Sequence, residues 1–176
     1  MKIKIGFSKP KGKFFPIFSW LIRLVEWTRY SHVYLQWDSE FAESKITYHA
    51  AGHSVHFLGI KKFNQTVEEM CTFEVEITKE QYKDLLHYCF ENSGTDYGIK
   101  QIIGIGWVKV MKFFGKNVKN PFSDGEKSQV CSELVGHVLS KVLEYDVGLD
   151  LDVAGPKDIY KFLLKMVEEK RVIKLK

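Results

Sequence analysis

Two short stretches of unlike periodicity, one early and one late in the chain, constrain its fold more than any other feature. Tyr30-Ser31-His32-Val33-Tyr34-Leu35-Gln36-Trp37 alternates, which puts Val33, Leu35 and Trp37 on one face of a strand and His32, Tyr34 and Gln36 on the other. In the later stretch, a helix predicted over residues 131–143, Cys131, Leu134, Val135, Val138, Leu139 and Val142 fall on one helical stripe. A cysteine opening a helix and facing a histidine on a strand is an arrangement that turns a thiol into a nucleophile.

The remaining segments supply a sheet and further helices. Residues 2–8 alternate as a strand, and a loop follows over residues 9–13. Pro16 suits the first turn of a helix running to about Arg29. Its residues Ile17, Trp20, Leu21, Leu24 and Trp27 recur at helical spacing, reading as a core-facing stripe or, alternatively, a membrane-contact face. Two strands, Ile46 to His49 and Ser54 to Leu58, flank a turn at Ala51-Gly52. Thr72 to Ile77 is another alternating strand, and Thr78-x-x-Gln81 is a capping box for a helix to about Asn92. Gly98 to Gly115 reads as a helix, residues 116–129 as a polar loop holding Pro121 and Gly125. Gly155-Pro156 opens a last helix through about Glu169, before a short strand over residues 171–175. Without repeats or a low-complexity linker, residues 1–176 read as one α+β domain.

Composition narrows the class. A chain of 176 residues, 45% hydrophobic and 27% charged, can bury a core and stay soluble. A net charge of only +4 speaks against a nucleic-acid partner. Cys71, Cys89 and Cys131 form no C-x-x-C pair, so neither a disulfide framework nor a structural zinc site is expected, and no cofactor is indicated. Reduced thiols, an N-terminus without a signal peptide's apolar core, and the lack of an apolar run of roughly 18–20 residues together predict a cytoplasmic protein.

The candidate chemistry rests on few residues. Taken alone, Cys131 reads as a small buried hydrophobe, the commonest fate of a cysteine and the one expected for Cys71 and Cys89. Its functional reading is a nucleophile near the positive end of a helix, favoured as thiolate. His32 reads either as an ordinary strand residue or as general base to that thiol. His49 ends a strand expected to pair with that of His32 and shares a face with Thr47, so a hairpin can set two imidazoles side by side. It ranks before His53 and His56 as the group that orients His32.

Ser31-His32-Val33, Tyr48-His49-Ala50 and Cys131-Ser132-Glu133-Leu134-Val135, in that order, resemble the circularly permuted branch of the NlpC/P60 papain-like superfamily. The closest resemblance is to YiiX/YaeF-like permuted amidases, and a more distant one is to the lecithin:retinol acyltransferase group. Gly94-Thr95-Asp96-Tyr97 and Gly155-Pro156-Lys157-Asp158 are similar to turns of that family. The resemblance implies an antiparallel sheet packed on helices with the catalytic cysteine at a helix N-terminus. It implies a thiol hydrolase of amidase or peptidase type with a Cys131, His32 and His49 triad and an acyl-thioester intermediate. The Cys131 backbone N–H would hold the oxyanion, with Tyr97 as a second donor or a pocket wall, or else an ordinary turn tyrosine; Ser132 and Glu133 would support the helix start. The implied substrates are peptides, amides or lipid esters. A lipid-directed thiol acyltransferase or phospholipase, in peripheral contact with a membrane, and a catalytically silent binding module are the alternatives. The aromatic and lysine-rich stretch from Ile102 to Phe114 reads as a half-buried helix with a solvated lysine face, or as an interfacial helix.

Overall fold

The structure, a computed structural model, describes residues 1–11, 17–39, 42–123 and 127–176. Pro16 and Gly125 lie outside the described residues. The strands are β1 (Lys2–Pro10), β2 (His32–Ser39), β3 (Ser44–Ala51), β4 (Ser54–Gly59), β5 (Val67–Glu76), β6 (Asp96–Tyr97), β7 (Ser128–Gln129) and β8 (Ile173–Lys174). The helices are α1 (Ile17–Glu26), α2 (Ile60–Thr66), α3 (Lys79–Glu91), α4 (Ile99–Phe113), α5 (Cys131–His137) and α6 (Pro156–Glu168), with α5 widening into a π-helical turn over Val138–Val142.

The strands form one eight-stranded sheet in the order β7-β6-β4-β3-β2-β1-β5-β8. The expectation of a purely antiparallel sheet is corrected at one place: β6 and β7 are parallel. The cause is the chain path, because α4 lies between them and carries the chain back to the same end, as a parallel pair requires.

The alternation read from the sequence decides which face is core. Val33 and Leu35 are wholly buried, together with Ile3, Ile5 and Phe7 of β1 and Phe73 and Val75 of β5. Leu85 of α3, Leu134 of α5 and Ile159 of α6 pack on the same face, fully buried; each contributes about 1.5–3 kcal/mol relative to exposure. The other face is thinner. There Tyr34 lies across β1, and a Cβ on Gly6 would run into its ring, so glycine is required. Phe63 of α2 covers Tyr34, with ring centroids 4.5 Å apart.

Local signals set the helix ends. Gln81 N donates to Thr78 Oγ1 at 3.1 Å and Thr78 N donates to Gln81 Oε1 at 3.0 Å, the reciprocal box that starts α3. α1 is shorter than its apolar period suggests, because Trp27 takes a left-handed conformation, φ 54°, and stops it. α2 had no counterpart among the predicted elements.

Candidate active site

β2 and β3 pair from Leu35↔Tyr48 to Ser39↔Ser44, so His32 and Val33 lie beyond the pairing. Gln36 and Thr47, opposite each other, hydrogen-bond at 3.1 Å, which fixes the face that His32 and His49 share. On it, Nε2 of His32 stands 3.1 Å from Nδ1 of His49. This bond occupies one nitrogen of His32 and leaves Nδ1 for any other partner. Phe63 closes the pair from outside, its ring 5.4 Å from that of His49, and the His56 ring approaches His49 to 4.7 Å. Burial pushes His32 down to about 4, helped by the nearby His56. Burial, with His32 and His56 beside it, pushes His49 down to about 2. Both imidazoles are therefore neutral at neutral pH.

Cys131 is the first residue of α5, which packs on β2, and is 3% exposed. The thiol engages the backbone of Val33, the neighbour of His32 in sequence. Burial is the largest influence and raises the thiol to about 11; the backbone at Val33, then Ser132 and Cys131 itself, acts the other way, while Glu26 adds to the rise. The expectation that a helix start favours thiolate is thus outweighed. A dipole effect of about 0.3–1 kcal/mol is smaller than the roughly 3 kcal/mol that such a rise represents.

The thiol and Tyr97 line one narrow apolar cleft, walled by Leu21, Ile22 and Val25 of α1 and by Ile102 and Ile105 of α4. Burial, then the adjacent Cys131, holds the Tyr97 phenol well above its ordinary pKa, so its hydroxyl stays protonated. Ser132 also borders the cleft, but its hydroxyl donates to the Ala154 carbonyl at 2.7 Å and so ties α5 to the approach to α6. Glu133 accepts from the Val130 N–H at 3.4 Å. His53 and His56 stay outside the thiol cleft, whereas Cys71 and Cys89 are buried in the main core, as expected.

Sequence reasoning missed a charged cluster at the same cleft. Lys109 of α4 forms ion pairs with Glu26 of α1 and, at 2.6 Å, with Asp158 of α6. The carboxylates also accept from the start of α6: Asp158 from Gly155 N at 2.9 Å and Glu26 from Lys157 N at 2.9 Å. A Cβ on Gly155 would collide with Glu26 and Lys109. The available signal was Gly155-Pro156-x-Asp158, an acid at the third helical position; its two partners are far away in sequence.

A crystal structure described as that of the metalloprotein YiiX from Escherichia coli O157:H7 superposes with a TM-score of 0.63 at 16% identity, over 99% of this chain and 94% of that one. The chain has a YiiX-like fold. No protein-family model and no curated protein matches it. The likeness to YiiX runs along nearly all of both chains, so it concerns the whole architecture. At this identity it carries the fold and nothing of the chemistry.

Proposed function

We propose that the chain is a papain-like thiol hydrolase, permuted in order, with Cys131 as nucleophile, His32 as general base and His49 as the group that orients it. The observation that carries this reading is the His32–His49 hydrogen bond beside a strand whose backbone engages the Cys131 thiol. In the attack, the Cys131 sulfur forms a bond to the carbonyl carbon while its proton passes to Nδ1 of His32. The carbonyl electrons move onto oxygen, where the Cys131 N–H and the Tyr97 hydroxyl are donors. Collapse expels the amine, which takes the proton from His32 and leaves a thioester. Water, losing its proton to His32, then releases the acid and restores the thiol.

A thiol held near 11 and an imidazole near 4 rest as a neutral pair. The proton moves during attack, as it does for a serine and histidine, rather than beforehand. The apolar walls of the cleft favour a second substrate class, the acyl chain of a lipid ester, for the same chemistry. Transfer of that acyl group to an acceptor other than water would make the chain an acyltransferase. YiiX is described as a metalloprotein. Among the described residues no group of three or more His, Cys, Asp or Glu is placed to hold a metal, and His32 and His49 spend a nitrogen each on one another.

The test is labelling with iodoacetamide read by peptide mass spectrometry. Burial raises all three cysteines, so it predicts slow labelling throughout. The proposal expects Cys131 to react first and to lose that lead in His32→Ala. Equal labelling of Cys71, Cys89 and Cys131, indifferent to His32, overturns it.

A further inference from the structure

The two helices that wall the thiol cleft carry an outer surface that the fold does not use. On α1 and just beyond it, Ile17, Trp20, Leu24 and Trp27 are 76%, 54%, 51% and 87% exposed. On α4 and just beyond it, Trp107 is 51% exposed, Phe113 86% and Phe114 69%. Of the chain's 4 tryptophans only Trp37 is buried; the other three stand on this pair of helices. Trp27 is the sharpest case. It is the most exposed of these side chains and sits at φ 54°, a conformation uncommon for any residue but glycine and least so for asparagine, aspartate and histidine among the rest. Neither core packing nor backbone preference accounts for a tryptophan there.

Charge identifies the occupant. Residues 99–123 contain Lys100, Lys109, Lys112, Lys116 and Lys119 and not one Asp or Glu. On α1 the sole acid, Glu26, is buried and held by Lys109, while Arg23 and Arg29 lie on or after the helix. Exposed Trp and Phe set among cations, with no exposed acid on either helix, match an anionic lipid surface: aromatic rings sit at the headgroup level and lysines meet the phosphates.

We infer that the outer faces of α1 and α4 together dock the protein peripherally on an anionic bilayer, bringing the mouth of the Cys131 cleft to the headgroup region. No helix among the described residues is long and apolar enough to cross the membrane, so the contact is interfacial. The inference does not depend on the hydrolase reading, because binding requires neither Cys131 nor His32.

The experiment is sedimentation of the full chain with vesicles of phosphatidylcholine alone and with added phosphatidylglycerol. Binding to the mixed vesicles, weakened at least ten-fold by raised salt and by Lys112→Glu with Lys116→Glu, is expected. Trp27→Ser with Phe113→Ser, both at exposed positions, should lose vesicle binding at unchanged melting temperature, and Cys131→Ser should keep it. Absence of binding to mixed vesicles overturns the inference. So does a wild-type dimer in light scattering that the Trp27 and Phe113 variant dissolves, since a second copy would then be the occupant.

Discussion

The His32–His49 pair turns a question of mechanism into one of tautomers. For Nδ1 of His32 to accept the thiol proton, its Nε2 must carry hydrogen and donate to Nδ1 of His49. His49 must then hold its own proton on Nε2, a buried atom without a hydrogen-bond partner among the described residues. The rings of Phe63 and His56 stand beside that ring at steep angles, 81° and 62°. A carboxylate in place of His49 would bring a charge into this dry setting; a neutral acceptor does not. His49→Asn, which keeps an acceptor oxygen, should therefore retain more Cys131 labelling than His49→Ala, which should lose about a hundred-fold through misorientation of His32. The labelling rate of the wild type should also fall as pH drops through about 4, where His32 takes up a proton. Equal rates for the two variants would leave His49 without an orienting role.

At the level of elements, Glu26, Lys109 and Asp158 join α1, α4 and α6, the three elements that meet beside the thiol. Glu26 is 4% exposed, and its loss would leave Lys109 short of one anion and the Lys157 N–H without its acceptor. Glu26→Ala should cost about 3–5 kcal/mol in urea unfolding, the range for breaking a buried pair from one side. Glu26→Gln, which still accepts from Lys157, should cost less. An unfolding midpoint unchanged in Glu26→Ala would show that the cluster does not hold these helices. Nothing in local sequence pattern pairs residues so far apart, and that is why the cluster was not legible. What was legible is what has a period or a cap: the shared face of His32 and His49, the Thr78 box, and Cys131 at the start of its helix. α2 spans only Ile60–Thr66, too short for a helical period to show, yet its Phe63 closes the imidazole pair. β6 and β7, two residues each, were invisible for the same reason.

For the whole molecule, the neutral site sets how stability depends on pH. A histidine whose pKa is lower in the folded chain than in the unfolded one binds its proton first when unfolded. His32, ordinarily at 6.5 and here about 4, therefore adds stability that is complete above about 6.5 and is lost as pH falls toward 4. His49 extends the loss toward about 2, and Asp158, lowered from its ordinary 3.8 because Lys109 outweighs the opposing effect of burial, adds to the loss below that ordinary value. The thiols work in the opposite direction. Cys71 and Cys131, ordinarily at 9.0 and here about 11, ionise first in the unfolded chain, so their contribution is lost as pH rises from 9 to 11. The melting temperature should accordingly form a plateau between about pH 6.5 and 9. On the acid side, His32→Gln should flatten the slope between pH 6.5 and 4, by on the order of 2 kcal/mol over the window once its partial exposure is allowed for. On the alkaline side, Cys131→Ser should flatten the slope between pH 9 and 11 while leaving the acid limb alone. Calorimetry of the wild type and both variants across that range reads both limbs at once. A wild type that gains stability on acidification from pH 6.5 to 4 would mean that His32 meets a carboxylate in solution and that the site is not neutral.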